Sequence, residues 1–227
     1  MMFGVVQFPG SCDERDALCA CRLVADARLV WHEDTDLGGL DAVIVPGGFS
    51  YGDYLRAGAI ARFSPAMASV SEFAASGGPV LGICNGFQVL CEAGLLPGAL
   101  LPNQGLRFVC RQVELVVENA ETRFTAACEP GDRLSVPIKH TTGRYFAPED
   151  QLDALDAGGQ VVLRYAPGDN PNGSLRDIAG ICNSAGNVMG LMPHPEHAVD
   201  PLTGSADGLR LFASLAVPEA RREAVHS

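Results

Sequence analysis

One cysteine, Cys84, lies in a setting typical of a nucleophile. It falls in the stretch VLGICNGFQVL (80–90), with Gly82 and Gly86 two residues before and after it. An apolar, strand-like run precedes it and a helical pattern follows, which is the form of a nucleophile elbow with cysteine in place of serine. Glycines relieve clashes at such a turn, and the helix N-terminus favours the reactive thiolate. A cysteine that only fills the core is the alternative, and both glycines favour the nucleophile.

A nucleophilic thiol needs a base, and the base needs a group that orients it. His194 directly follows the apolar run VMGLMP, and Glu196 comes two residues later, across a proline that fixes its own φ. We therefore predict His194 as general base and acid and Glu196 as its orienting carboxylate. His197 is the chief competitor, but it lacks the strand-end position; a plain surface turn is the other alternative. The weaker histidine candidates are His32, His140 and His226.

Backbone donors for an oxyanion are predicted at two places. The apolar run VIV ends in Pro46-Gly47-Gly48, and consecutive glycines at a strand end can present N–H groups to an oxyanion. The second donor is the N–H of Asn85, directly after the nucleophile. An ordinary glycine-rich turn is the alternative at Gly48. Together, the thiol, imidazole, carboxylate and donors predict an acyl-transfer site.

Short apolar strands alternate with helices in the first half of the chain. The strands are FGVVQF, RLVWH, DAVIVPGG and PVLGI. One helix is predicted at about 13–27, and a second has Ser64 as N-cap, Pro65 at its first position and Gly77 at its end. This alternation predicts a parallel sheet covered on both faces, in which ligands bind at the carboxyl ends of the strands.

The second half is richer in strands. We predict strands at RFVCRQVELVV, LSVPIKH and QVVLRYA, a hairpin in IAGICNSAGNVMGLMP, little helix between them, and a final helix in SADGLRLFASLA. The fold class is therefore α/β, a flavodoxin-like and mostly parallel sheet with helices on both faces and a β-rich insertion in the second half. No repeat or linker divides residues 1–227, so we predict a single domain with a core of about 3–216 and a tail at 217–227.

Charge and hydropathy exclude several classes of partner. Lys and Arg number 16 against 27 Asp and Glu, a net charge of −11, so a broad footprint for nucleic acid or anionic membrane is not expected. No apolar run reaches the length of a membrane span. The N-terminus has no basic region before its apolar run, so it is interpreted as a first strand and the expected location is cytoplasmic.

The eight cysteines are then expected to be reduced thiols. Cys19-Ala20-Cys21 suggests a metal clip, but residues two apart on a helix point to different sides. We therefore expect Cys21 to face the core, and we expect no metal site in this chain.

The set of motifs resembles the class I, triad-type glutamine amidotransferases. The resemblance runs from about Phe3 to Ala216. The phrases that carry it are PGGFSYGDYLRAGAIA (46–61), GICNGFQVLCEAGLLPGAL (82–100), NPNGS (170–174) and IAGICNSAGNVMGLMPHPEHA (178–198). The elbow is shared by all such amidotransferases, whereas GGFSYGDYLRAGA and NPNGS are much more specific.

The resemblance implies roles for individual residues. The catalytic roles predicted above, with Gly48 and Asn85 as oxyanion donors, carry over directly. Gln88, one turn after the nucleophile, and His140 would contact the bound glutamine. The sequence departs from the family at PIKHTTG, where Pro-Ile-Ala-His-Gly-Glu-Gly is usual, so that Lys139 replaces a small residue. We expect this segment still to line the glutamine pocket, through backbone groups.

The implied chemistry is hydrolysis of glutamine. Cys84 would attack the side-chain amide, ammonia would leave, and water would hydrolyse the glutamyl thioester. The specific phrases resemble the branch of the family that serves de novo purine biosynthesis. They imply a large synthetase subunit and a small accessory subunit as partners, and conversion of formylglycinamide ribonucleotide into formylglycinamidine ribonucleotide.

No cofactor is expected in this chain. Neither G-x-x-x-x-G-K-[ST] nor a strand followed by G-x-G-x-x-G occurs, so ATP and Mg²⁺ would belong to the synthetase. Two other functions remain open. One is a stand-alone cysteine hydrolase or a glutaminase for another synthetase, which partner dependence would distinguish. The other is a catalytically dead regulatory module, against which the intact Cys84, His194 and Glu196 argue.

Overall fold

The computed structural model describes residues 1–217. Five helices are present in that range: α1 (Glu14–Arg22), α2 (Pro65–Ala75), α3 (Asn85–Glu92), α4 (Glu149–Ala157) and α5 (Leu209–Leu215). The first strands are β1 (Met2–Gln7), β2 (Asp26–Trp31), β3 (Ala42–Val45), β4 (Val80–Ile83), β5 (Ala99–Pro102) and β6 (Val109–Val117). They are followed by β7 (Arg133–His140), β8 (Thr142–Phe146), β9 (Val161–Tyr165), β10 (Ile178–Cys182) and β11 (Val188–Leu191).

Nine strands form one continuous sheet. Their order is β2-β1-β3-β4-β11-β10-β9-β6-β7. The pairs from β2 to β11 are parallel, and the pairs from β11 to β7 are antiparallel. The predicted α/β class with a large, mostly parallel sheet is confirmed, and the β-rich second half continues the same sheet. The two remaining strands, β5 and β8, pair as a separate antiparallel ribbon.

Local signals position the helices that flank the parallel half. Helix α2 begins as predicted, with Pro65 at its first position and the Ser64 hydroxyl accepting a hydrogen bond of 3.3 Å from the N–H of Met67. Helix α1 is shorter than the predicted 13–27. It ends at Arg22 because the chain then enters β2, whose pairing with β1 starts at Asp26.

The second half contains a helix that the strand pattern did not indicate. Helix α4 starts after Pro148, carries Glu149 and Asp150 in its first turn, and buries Leu152 and Leu155. The prediction of little helix in this half was wrong here, because only two apolar positions hold the helix against the core. No helix within residues 1–217 is long and apolar enough to cross a membrane. The predicted tail at 217–227 lies, except for its first residue, outside the described residues.

Candidate active site

The nucleophile elbow forms as predicted, between β4 and α3. Cys84 adopts φ 51° and ψ −105°, a backbone conformation that residues with a side chain rarely adopt and that is found at functional sites. The flanking glycines permit close packing: a Cβ on Gly86 would lie 1.9 Å from the carbonyl oxygen of Val45, and one on Gly82 would lie 2.8 Å from the backbone of Gly86. The close backbone packing at Gly82 and Gly86 therefore holds Cys84 at the carboxyl end of β4.

The glycine loop after β3 lies beside this elbow. Gly48 adopts φ 141°, and a Cβ there would come within 2.7 Å of the backbone nitrogen of Cys12. The side-chain oxygen of Asn85 accepts a hydrogen bond of 3.0 Å from the N–H of Ser50, which fastens the loop to the elbow. In the described part of the chain, the Gly48 N–H donates to no other group. Its role, and that of the Asn85 N–H, as oxyanion donors stay predictions.

His194 and Glu196 form a close, buried pair after β11. The Nδ1–H of His194 donates to a carboxylate oxygen of Glu196 at 2.6 Å, and both side chains are almost completely buried. His194 Nε2 is also buried and makes no conventional hydrogen bond to residues 1–217, which leaves it available to the thiol. Burial disfavours the imidazolium, but the carboxylate of Glu196 and the thiolate of Cys84 outweigh it and raise the pKa of His194 to about 10.

His197 occupies a different environment. Its ring is 28% exposed, and its Nε2 lies 3.3 Å from a carboxylate oxygen of Asp13. It lies outside the set of residues that line the cavity at Cys84, whereas His194 belongs to that set. This geometry supports His194 over His197 as the base.

A cavity of about 330 Å³ connects the predicted residues. Its lining includes Gly48, Cys84, Gln88, His140 and His194, so five of the seven predicted site residues share one space. Asn85 and Glu196 lie behind it and contact the lining residues. The other lining residues are Cys12, Asp13, Phe49, Asp53, Phe108, Lys139, Thr141 and Thr142.

Gln88 is fixed in the cavity wall by two hydrogen bonds. Its amide nitrogen donates to the backbone oxygen of Thr142 at 2.6 Å, and its oxygen accepts from the side chain of Asn85 at 2.8 Å. The segment from Lys139 to Thr142 therefore lies against the nucleophile helix, despite its unusual sequence. Whether Gln88 contacts glutamine stays a prediction.

His140 is buried in a polar network that the sequence did not indicate. Its Nδ1–H donates to the side-chain oxygen of Asn103 at 3.1 Å, and its Nε2 accepts from the amide of Asn172 at 3.4 Å. Burial, reinforced by the positive charge of His194, lowers the pKa of His140 to about 4, so the ring is neutral. Asn172 belongs to the NPNGS phrase, but nothing in the local sequence marked Asn103 as its counterpart.

Asp13 is the other residue that sequence reasoning missed. It precedes α1, is 3% exposed, and forms an ion pair with Lys139. One of its carboxylate oxygens lies 3.6 Å from Nδ1 of His194. Its position in the charged run Asp13-Glu14-Arg15-Asp16 at the start of α1 gave no sign of a catalytic neighbour.

The described residues contain one group that could hold a metal ion, with donor atoms of Asp13, His194, Glu196 and His197 within 4.8 Å of one another. In this arrangement one oxygen of Glu196 accepts the hydrogen bond from His194, and Asp13 is ion-paired with Lys139. The cluster is therefore organised around an imidazole. Cys19 is exposed and Cys21 is buried, as expected for opposite sides of α1.

The arrangement suits acyl transfer. A thiol at a helix N-terminus, a buried imidazole bound to a carboxylate, and a cavity beside both are the parts that nucleophilic catalysis on an amide requires. The backbone N–H groups of Gly48 and Asn85 lie beside the nucleophile, where an acyl-transfer enzyme has its oxyanion donors.

Comparison with known proteins agrees with this chemistry. Residues 5–210 match the model of the CobB/CobQ-like glutamine amidotransferase domain. The phosphoribosylformylglycinamidine synthase subunit PurQ of Rubrobacter xylanophilus is 60% identical, over 95% of this chain and 97% of the relative. The subunit of the same name from Mycobacterium bovis is 62% identical, over 93% and 94%.

The fold has a counterpart among solved structures. A chain in the structure of PurLQS from Thermotoga maritima superposes with a TM-score of 0.87 and 44% identity, covering 94% of this chain and 96% of that chain. Matches of this identity over nearly the whole length establish family membership. The chain therefore belongs to the family of CobB/CobQ-like glutamine amidotransferase domains.

Proposed function

We propose that this chain is the glutaminase subunit of a phosphoribosylformylglycinamidine synthase. It hydrolyses glutamine and supplies ammonia to a large synthetase subunit, which works with a small accessory subunit in purine biosynthesis. The observation that carries the proposal is the strained elbow at Cys84 sharing one cavity with His194. The extent of the match to PurQ subunits supports the choice of synthetase.

The proposed reaction has two halves. The Cys84 thiolate attacks the side-chain amide carbon of glutamine, and the tetrahedral oxyanion accepts hydrogen bonds from the N–H groups of Gly48 and Asn85. The imidazolium of His194 gives its Nε2 proton to the leaving nitrogen, so that ammonia departs and a glutamyl thioester remains. Neutral His194 then takes a proton from water, whose oxygen attacks the thioester and releases glutamate and the thiol. Glu196 holds the imidazole through Nδ1 in both halves.

ATP and Mg²⁺ act on the synthetase in this proposal, and this chain contributes only ammonia. A cytoplasmic site of action is part of the same proposal, because a purine-biosynthetic complex draws on cytoplasmic substrates. The stand-alone hydrolase is less well supported, because it gives no reason for the large exposed apolar residues at the mouth of the cavity.

The partner is expected to dock at the mouth of the cavity. Phe49 and Phe108 line the cavity yet are 55% and 63% exposed. The two loops that supply them also carry Tyr54, Leu55 and Leu106, which are 74%, 90% and 76% exposed. We define these five residues as the apolar rim. Large exposed apolar side chains grouped at one place are typical of an interaction surface.

Polar residues in and near the same loops already have partners within the chain. The Tyr51 hydroxyl forms a hydrogen bond of 2.8 Å with His32 Nδ1. Arg56 is exposed and forms an ion pair with Glu92. Asn172 is 1% exposed and belongs to the network around His140. The proposed surface therefore consists of the apolar rim, and Asn172 has a structural role.

The test of the function is reconstitution with the synthetase and the accessory subunit. Cys84→Ala should abolish amidine formation from glutamine and leave formation from added ammonia intact, because the thiol acts only in releasing ammonia. Cys19→Ala, which removes an exposed thiol on α1, is the matched control and should retain both activities. Glutamine-dependent activity in the Cys84 variant would disprove the assignment of the nucleophile.

The test of docking uses two exposed leucines. Leu55→Glu in the apolar rim should weaken co-purification with the synthetase and reduce stimulation of glutamine hydrolysis. Leu23→Glu, at the end of α1 far from the carboxyl ends of the strands, should have no such effect; Leu23 is 58% exposed. High activity of the isolated chain that partners leave unchanged would favour the stand-alone hydrolase.

A further inference from the structure

Two charged residues beside the triad have no part in the reaction proposed above. Asp13 and Lys139 are ion-paired, their side chains are 4% and 32% exposed, and both line the cavity that contains Cys84. They lie 126 residues apart in the chain: Asp13 directly precedes α1, and Lys139 lies near the end of β7. An ion pair this buried needs compensation for the water that both charges lose.

Asp13 packs directly against the imidazole of His194. Its Oδ2 atom lies 3.6 Å from Nδ1 of His194, on the nitrogen that already donates to Glu196. The space that allows this is provided by Gly47, where a Cβ would come within 2.4 Å of Asp13 Oδ2 and 2.8 Å of His194 Cε1. His194 is thus flanked by two buried carboxylates.

Two uncompensated carboxylates would hold His194 as a cation too firmly for it to give up its proton to the leaving nitrogen. Lys139 cancels one of those charges by pairing with Asp13. Burial lowers the pKa of Lys139, but the hydrogen bond to Asp13 and the negative charges of Asp13, Glu196 and the Cys84 thiolate outweigh it and raise that pKa, so the side chain stays charged. The Asp13–Lys139 pair therefore acts on both residues of the catalytic couple, Cys84 and His194.

We propose that Asp13 and Lys139 form a charge-balancing pair that sets the pH range in which Cys84 and His194 exist as thiolate and imidazolium. The inference rests on the proposed glutaminase function of that couple. The two residues are positioning residues, since they act through His194 and Cys84. The ionisable groups that line the cavity with Cys84 and His194 are Cys12, Asp13, Asp53, Lys139 and His140. Those that approach from behind the cavity are Cys21, Tyr165, Glu196 and His197.

The sign of the effect differs for the two members of the pair. Without the Lys139 cation, the thiolate loses stabilisation and the imidazolium faces an extra anion. Formation of the thiolate and loss of the imidazolium proton then both move to higher pH. Without the Asp13 anion, the unpaired Lys139 cation moves formation of the Cys84 thiolate and loss of the His194 proton to lower pH. Removing both charges together cancels the two shifts.

The experiment measures the pH dependence of Cys84 alkylation by iodoacetamide in the full chain. Mass spectrometry of the Cys84 peptide separates it from the exposed Cys12, Cys19 and Cys110. We expect Lys139→Met to raise the midpoint by about one pH unit and Asp13→Asn to lower it by a similar amount, at the low end of the shifts that nearby charges cause. The double variant should return toward the parent midpoint, and Lys139→Arg, which keeps the charge, should stay near it.

The same variants in the reconstituted complex should shift both limbs of the pH profile of kcat/KM for glutamine in the same direction. A loss of rate without a shift of midpoint would indicate a purely structural pair and overturn the inference, as would a double variant no nearer to the parent than the singles. Thermal unfolding of each variant checks that it is folded. If the parent chain never hydrolysed glutamine, the proposed function would fail while the alkylation midpoints still tested the charge pair.

Discussion

The two walls of the cavity are built in different ways. One, the glycine wall, consists of the lining residues Gly48 and Cys84 with Gly47, Gly82 and Gly86 packed behind them, near the carboxyl ends of β3 and β4 in the parallel half of the sheet. The other, the polar wall, consists of Lys139 and His140 at the end of β7, Thr142 at the start of β8, and the loop residues Asn103 and Asn172 behind them. The glycine wall is shaped by backbone in close contact, whereas the polar wall is shaped by hydrogen bonds between side chains distant in sequence.

This difference explains why the glycine wall could be predicted from the sequence and the polar wall could not. Close backbone contact requires glycine at fixed offsets from the nucleophile, so the pattern is local. A side-chain network needs only that its members meet in the folded chain. Asn103 and His140 are 37 residues apart, and Asn172 is 32 residues further along from His140. The comparison predicts that the glycine wall is intolerant of small changes and that the polar wall is sensitive to pH.

The largest effect is expected from Gly86→Ala. A Cβ at this position would lie 1.9 Å from the carbonyl oxygen of Val45 and 2.6 Å from its carbon. Because backbone on both sides must then move, we expect a loss of more than ~3 kcal/mol in the free energy of unfolding, above the usual range for overpacking. Denaturant unfolding followed by circular dichroism measures it.

Gly105→Ala is the matched control for that experiment. A Cβ at Gly105 would meet nothing within 4 Å, and its φ is ordinary for a residue with a side chain. Its stability should lie within ~0.5 kcal/mol of the parent, as for most surface substitutions. Equal effects of the two substitutions would break the claim that close backbone contact defines the glycine wall.

The next largest effect concerns the two neighbouring histidines. His194→Asn should lower glutamine hydrolysis in the complex by at least ~10², the lower range for general acid–base catalysis. His197→Asn should change it little, because its ring is partly exposed and interacts with Asp13 rather than the thiol. Steady-state kinetics of both variants decides the matter, and the reverse pattern would show that the base was assigned to the wrong residue.

The sequence predicted the parallel half and its residues well. The strands around the elbow, the cap of α2 at Ser64 and the close pair of His194 and Glu196 all depend on residues near one another in the chain. Helix α4 was missed, because two buried leucines give a weak pattern. Asp13 and Asn103 were missed for another reason: each acquires its role from partners more than 30 residues away.

The polar wall should reveal itself in the pH dependence of stability. Buried His140 has a pKa lowered to about 4 from 6.5, so the unfolded chain binds a proton at higher pH than the folded chain. Its contribution to stability is therefore complete above pH 6.5 and is lost as the pH falls towards 4. For this group alone, we expect a loss of about 2 kcal/mol between pH 7.5 and pH 5.

Comparison with His140→Gln isolates the pH-dependent contribution of His140 to the free energy of unfolding. The amide can take part in hydrogen bonds with Asn103 and Asn172 but does not titrate. The variant should lose less stability than the parent between pH 7.5 and pH 5, as measured by urea unfolding at each pH. His194 does not confuse the result, because its raised pKa stabilises the folded chain fully below pH 6.5 and only fades towards pH 10. Parallel curves for parent and variant would contradict a neutral, buried His140.

The smallest effect is expected where the polar wall uses backbone instead of side chain. Gln88 is held by the backbone oxygen of Thr142, so Thr142→Ala leaves that hydrogen bond in place. We expect kcat/KM for glutamine to change by less than about threefold, since a substitution that removes no named contact costs only ~0.5 kcal/mol. Gln88→Ala deprives both the Thr142 oxygen and the Asn85 amide of a partner. An unsatisfied buried polar group costs ~1–3 kcal/mol of stability. We expect the cavity wall to shift in order to relieve that cost, and kcat/KM to fall by at least ~5-fold as the glutamine site is displaced. A Thr142 effect as large as the Gln88 effect would mean that the threonine side chain itself contacts glutamine, and the two walls would then differ less than proposed.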